Sequence, residues 1–285
     1  MGSSTTGGGR LPARDRVQVL VTVKAQPALS TKHGEVVCVA GIRLDRGRSE
    51  WIRLFPVQFR DLDRVVQFAK YQLLDVTVSR ARSDTRPESY TPDMSSVVLG
   101  DVIDTGPSRS WRRRWEYLQP LADTTTMCAL NRGQRDGHPT PSLAMLRPAV
   151  VLGVDVVDTP DFTTAQRNLA ETAAAADLFG DAREPLEPSP FTVRYRWRCL
   201  EPGCGGHDQM CVDWEVGGAA RRWLRSKSRD AVHEQLLKKW QDELCGAGRD
   251  PYFFVGNQHK YPQSYLILGV FWPPHDPARH QQRLF

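Results

Sequence analysis

Cys199-Leu200-Glu201-Pro202-Gly203-Cys204-Gly205-Gly206-His207 packs two thiols and an imidazole into nine residues, and Cys211 follows four residues later. Pro202, Gly203, Gly205 and Gly206 supply tight turns that bring ligand-type side chains together. A disulfide needs neither a histidine nor a pair of glycines between its partners. The C-x4-C-x2-H spacing lies near those of structural zinc sites without matching a standard finger, and it predicts zinc on Cys199, Cys204 and His207. The competing reading is a set of reduced, buried cysteines, a common state for that residue.

Strand parity narrows the fourth ligand. Val193, Tyr195, Trp197 and Cys199 alternate with Arg194, Arg196 and Arg198 on the way into the knuckle. On the way out Met210, Val212 and Trp214 form the apolar set, opposite Cys211, Asp213 and Glu215. In a hairpin of that parity Cys211 faces away from Cys199. Cys245, before the helix stop Gly246, is therefore the favoured fourth ligand, with Cys211 the rival.

The rest of the C-terminal unit reads as a helical stretch from Ala219 to Cys245, broken near Ser226 to Ser228, then strands at Tyr252 to Gly256 and Ser264 to Trp272. Upstream, strands are expected at Val17 to Lys24, Glu35 to Leu44, Glu50 to Phe55, Tyr71 to Arg80, Val97 to Ile103 and Ala149 to Val157. Helical insertions are expected at Asp61 to Ala69 and Ser108 to Leu121. An alanine-rich helix runs from Thr163 to Phe179, and a proline-rich linker from Gly180 to Pro190.

The fold class that follows is α+β, an N-terminal β-barrel-like domain followed by a zinc-containing hairpin-helix-strand unit. Expected boundaries are a disordered tail at 1–16, the barrel at 17–158, helix and linker at 159–190 and the zinc unit at 191–285.

The 285 residues are 40% hydrophobic and 25% charged, as in ordinary globular domains, and no apolar run is long enough to span a membrane. The Gly/Ser/Thr-rich start has no apolar core, so it does not read as a secretion signal. Unevenly spaced cysteines suit metal better than a disulfide framework, and the cytoplasm is the expected compartment. A net charge of +5 permits nucleic-acid binding without demanding it.

Four constellations can carry function. Arg194, Arg196 and Arg198 form a basic strand face that suits phosphate, unless Asp213 and Glu215 neutralise it across the hairpin. Trp111-Arg112-Arg113-Arg114-Trp115 interleaves rings and guanidinium groups as single-strand binders do, with Arg112 and Arg113 as candidate contacts; a plug of two core tryptophans is the simpler reading. Asp84, Arg86 and Glu88 sit on one loop and offer a metal or acid–base site, or a self-paired turn. The loop after Phe253-Phe254-Val255-Gly256 carries Asn257, Gln258, His259 and Lys260, side chains that meet base edges and phosphates. Phosphate-loop, dinucleotide, hydrolase-elbow and metalloprotease motifs are absent from the sequence.

Glu35 to Gly41, Trp51-Ile52-Arg53-Leu54 with Pro56, Asp84 to Ser89, Cys199 to His207 with Asp213-Trp214-Glu215, and Phe253 to Asn257 with Gly269 and Pro273 together resemble a family of uncharacterised bacterial proteins. The resemblance implies a bacterial cytosolic protein and a shared architecture. The opening strands with Trp51-Ile52-Arg53 also look like small OB-type or PUA-type barrels that bind nucleic acids. The expected function is DNA or RNA binding with structural zinc, in a bacterial nucleic-acid-processing or defence system. The alternatives are a metal-dependent, nuclease-like enzyme using Asp84, Glu88 or His259, and a protein-interaction scaffold.

Overall fold

The computed structural model describes residues 13–62, 67–175, 182–277 and 279. Alternating valines shape the first unit. Strands β1 (Arg14–Lys24), β2 (Ala28–Ser30), β3 (Gly34–Arg43), β4 (Glu50–Val57), β5 (Gln72–Arg80) and β6 (Ser89–Val102) form a sheet in the order β1-β5-β6-β4-β3-β2. A further β1–β3 pairing closes five of the strands into a barrel and leaves β2 on its rim. Closure depends on Gly41, where a Cβ would stand 2.4 Å from the Leu20 carbonyl oxygen. Val17, Val19, Val21, Val39, Ile52, Leu74 and Val76 fill the interior.

Most of the expected tail, 1–12, and the middle of the expected helix at Asp61 to Ala69 lie outside the described residues. So does the end of the alanine-rich helix, of which α3 (Thr164–Ala174) is described. A Thr163–Gln166 capping box starts α3, which joins a good helix former to a satisfied N-terminus.

The second unit is a mixed sheet in the order β7-β11-β12-β10-β9-β8, from β7 (Leu143–Leu146), β8 (Pro148–Asp158), β9 (Phe191–Cys199), β10 (His207–Cys211), β11 (Tyr252–Asn257) and β12 (Tyr265–Phe271). The barrel expected to extend to residue 158 therefore ends earlier. Periodicity identifies 148–158 as a strand, but its hydrogen bonds go to β9. Two helices, α1 (Arg112–Leu118) and α2 (Met127–Arg135), connect the units.

One face of the second sheet packs on α4 (Trp214–Leu224), on α5 (Arg229–Leu237) and on the π-helical turn Lys238–Glu243 that extends α5. Trp197, Tyr195, Val216, Leu236 and Trp240 are buried there. Helix α4 begins five residues before the expected Ala219, because the Asp213 carboxylate caps it by accepting from the Glu215 N–H at 3.0 Å. The opposite face, at β11 and β12, packs Tyr252, Phe254, Leu268 and Phe271 on Leu20, Ala40 and Ile42 of the barrel.

Trp111 and Trp115 plug that seam. Trp111 lies 5.2 Å from the Phe271 ring and 4.9 Å from Trp272, and Trp115 lies 5.3 Å from Tyr252. Arg114 covers Tyr71 at 3.9 Å. The paired rings are thus core, and Trp111 is the left-handed residue that precedes α1 rather than part of it.

Candidate metal centre

The knuckle between β9 and β10 turns on Gly203 and Gly206, whose φ angles of +75° and +107° disfavour any residue with a side chain. It holds Cys199, Cys204 and His207 at one end of the hairpin. The fourth member comes from α2. The ligand atoms of Cys128, Cys199, Cys204 and His207 all lie within 4.8 Å of one another. His207 Nε2 is 3.2 Å from Cys204 Sγ and 3.7 Å from Cys128 Sγ. A tetrahedron with bonds of about 2.3 Å has edges of about 3.8 Å, so the cluster has the size of a zinc site. Three thiols and an imidazole complete the coordination shell, as structural sites require, and the group can hold a metal such as zinc.

The electrostatics show what a cation would supply. Burial and the neighbouring Cys199 and Cys204 push the Cys128 thiol up to about 12. Burial lowers His207 against the pull of Glu201. For Cys204 burial works upward, and hydrogen bonds from the Cys199 and Gly206 backbone outweigh it. A divalent ion bound there would relieve the crowding by stabilising the thiolates together.

Glu201 fastens the knuckle to α2. Its carboxylate accepts from Thr126 Oγ1 at 2.6 Å and from Arg132 Nη1 at 2.8 Å. Thr126 is also the cap of α2, accepting from the Ala129 N–H at 3.0 Å. One hydroxyl thus starts the helix that carries Cys128 and ties it to the loop that carries Cys204.

Cys245 does not join the cluster. It is partly buried at the end of the π-helical segment near Tyr195, and burial raises its thiol to about 12. Cys211 is excluded as well, though not by parity. It pairs with Val193 and shares the buried face of Cys199, but lies about 20 Å farther along the strands. The only local sign of Cys128 in the sequence is Thr126, a helix cap two residues before it.

The arginine row has other partners than expected. Asp208 lies 2.9 Å from Arg194 and Asp155 lies 2.9 Å from Arg196, while Asp213 is buried against Lys70 and Glu215 belongs to α4. Arg198 is exposed and has no carboxylate partner among the described residues. Arg112 and Arg113 are exposed and pair with Glu116 and Asp104.

The Asp84 loop is tied into the seam between the units. Arg86 donates to Asp84 at 2.8 Å and 2.5 Å and to the Asn257 carbonyl and side-chain oxygens at 2.8 Å and 3.0 Å. Asn257 is buried and donates to the Pro262 carbonyl, so its amide shapes the 257–264 loop rather than reading a base. Glu88 accepts from the Ser142 hydroxyl, which also bonds Arg53. Both carboxylates are thus engaged by the protein.

Although partial burial opposes it, Arg86 holds Asp84 well below the usual carboxylate range. Its contribution to stability is present above about pH 3.9 and lost as pH falls through the depressed native value. Asp84→Asn is expected to destabilise the protein at neutral pH and to flatten the melting-temperature profile below about pH 4. Thermal melts across the acid range check this, and parallel wild-type and variant profiles would refute it.

Three cavities lie near the 257–264 loop, and the first two share Gln263. The first, of 450 Å³, opens at the metal cluster between Cys128, Arg132, Arg135, His207 and Gln263. The second, of 630 Å³, is lined by Gln134, Lys260, Tyr261 and Gln263. The third, of 340 Å³, lies on the barrel, and its Asp84 stands 3.5 Å from His259 of the same loop. Lys32, Arg82, Arg135 and Lys260 face these cavities with no carboxylate partner among the described residues. The rings of Phe55 and Tyr261 are exposed beside them, by 39% and 65%.

The architecture defines a two-part α+β protein, a five-stranded barrel joined to a helix-backed sheet with a Cys3His cluster. Residues 123–285 match a family described as a domain of unknown function, DUF8757, and the chain belongs to that family. Residues 15–120 match a second domain of unknown function, DUF8758. No curated protein matches the sequence. A solved structure described as a murine DNA binding protein bound with double-stranded DNA aligns over 91% of this chain and 98% of its own at 10% identity. Its TM-score of 0.27 falls short of a shared fold. No helix among the described residues is long and apolar enough to cross a membrane.

Proposed function

We propose that this protein binds nucleic acid, with zinc as a structural staple. The reading rests on one observation, two cavities that share Gln263 beside the metal cluster and a third on the barrel whose Asp84 meets His259, edged by unpaired cations and two exposed rings. Cations that neutralise phosphates and rings that receive bases are the two components of a single-strand groove. The Cys3His group fixes α2, and with it Arg132 and Arg135, against the loop of Lys260 and Tyr261. Asn257 acts as a positioning residue beneath that loop. Arg198, with Arg194 and Arg196 half-neutralised beside it, provides a second and weaker basic edge. Six unbridged cysteines suit a reducing compartment such as the cytoplasm.

Arg135→Ala with Lys260→Ala is expected to weaken binding of single-stranded oligonucleotides about tenfold at moderate salt and to reduce the salt slope by about 1 to 2. The Arg194, Arg196 and Arg198 triple alanine variant is expected to have the smaller effect. Fluorescence anisotropy over a salt series measures both. Wild-type protein that binds neither DNA nor RNA, single- or double-stranded, even at low salt, would overturn the reading.

A further inference from the structure

A fourth cavity, of 640 Å³, shares no lining residue with the three described above. Its walls are the turn after β1, the segment before α3, the proline-rich stretch 184–189 and one face of α4. Phe162 and Trp214 supply rings. Trp214 is braced edge-on by Phe59 at 5.4 Å, while the half-buried Phe162 meets no other ring among the described residues.

Three guanidinium groups reach the same space, and they are not equally engaged. Arg60 is taken, since it pairs with Glu35 at 2.9 Å and donates to the Glu184 carbonyl at 2.9 Å. Arg221 donates only from Nη2, to the Glu187 and Pro188 carbonyls at 2.8 Å and 3.2 Å. Its Nη1 and Nε have no acceptor, and no carboxylate pairs with it, among the described residues. Burial disfavours its charge; Glu187 offsets part of that cost and Arg60 adds to it, which leaves Arg221 below the usual guanidinium range. Arg225, one helical turn on, is exposed and has no partner among the described residues. Like charges four apart on a helix repel, and an anion held between them turns that repulsion into attraction.

Glu184 and Glu187 also line the cavity, which disfavours a ligand that is anionic along its whole length. One with an anion at one end and hydroxyl or amine donors at the other fits both sets of charges. Inorganic phosphate is too small to fill the space, which lies within the range of about 300–1,000 Å³ typical of small-molecule sites.

We propose that this cavity binds a nucleoside monophosphate, with its phosphate between Arg221 and Arg225, its base against Phe162 and its donors toward Glu184 and Glu187. The site is separate from the groove and does not depend on it.

Calorimetry on the full-length protein tests this with the four ribonucleoside 5′-monophosphates, their nucleosides and ribose 5-phosphate. At least one nucleotide is expected to bind about tenfold tighter than its nucleoside, which lacks the phosphate, and than ribose 5-phosphate, which lacks the base. Arg225→Gln and Phe162→Leu are each expected to weaken it about tenfold. Arg225→Gln should leave the melting temperature of the free protein unchanged, because that side chain bonds nothing there. The groove variant, Arg135→Ala with Lys260→Ala, should bind the nucleotide as wild type does. Affinity lost in the groove variant and kept in Arg225→Gln would put the nucleotide in the groove and overturn the site. So would ribose 5-phosphate binding as tightly as any nucleotide. Failure of all four nucleotides to bind at about 1 mM would end the proposal and leave the groove reading untouched.

Discussion

Cys128→Ser protein is expected to lose its zinc and to melt about 10 °C or more below wild type, whereas Cys245→Ser keeps about one zinc per chain. The first substitution removes a ligand from a closed tetrahedral set, and the second touches a thiol beside Tyr195, outside the cluster. Zinc bound by a folded site is folding free energy, about 10–16 kcal/mol in isolated finger peptides, so losing even a fraction of it is a large effect. About 3 °C is lost per kcal/mol in a chain of this size. Elemental analysis of anaerobically purified protein, paired with a thermal melt, checks the result. A Cys128→Ser protein with full zinc content would show that α2 does not supply a ligand.

Asp213→Ala is expected to cost about 3–5 kcal/mol, the penalty for leaving a buried charge without its partner. Asp213 accepts from Lys70 Nζ at 2.7 Å and 2.6 Å on its two oxygens, and both side chains are nearly inaccessible. The same carboxylate caps α4. Burial works against the charge on Lys70, but Asp213 and then Glu215 outweigh it and raise its affinity for the proton. The native state therefore holds that proton more tightly than the unfolded chain. The contribution is complete at neutral pH and is lost only as pH rises from about 10.4 through the higher native value. Replacing the pair with Lys70→Met and Asp213→Leu together should recover most of the stability, because an apolar pair leaves no orphan charge. Denaturant unfolding of the single and double variants measures the coupling, and additive losses would deny it.

These two sites differ in how far the sequence discloses them. The knuckle was legible because its three ligands and its glycines fall within nine residues, and local spacing carries local geometry. Cys128 was not, because only the tertiary fold brings α2 to the hairpin. Cys245 was attractive for its place at a helix end, a criterion that says nothing about distance. Val212 to Glu215 alternates like a strand, yet Asp213 satisfies the first N–H groups of a helix and Trp214 packs on Phe59 at 5.4 Å. Alternation reports that one face is buried; a cap decides which element buries it. The barrel strands read well from their valines, whereas the strand expected at Ala149 to Val157 belongs to the second sheet, paired with β9. Period identifies a strand, and only its hydrogen-bond partners identify its sheet.

The order of strands in the second sheet has a consequence for how the protein is made. Its outer strands, β7 and β8, leave the ribosome about a hundred residues before β11 and β12, which stand between β7 and the rest. The barrel can close as soon as β6 is complete, since all its strands lie upstream. The later sheet remains in two separate pieces until Phe271 has emerged. A nascent chain paused near residue 250 therefore carries a finished barrel and two exposed sheet edges. At that point in synthesis the open edges are most prone to mispairing.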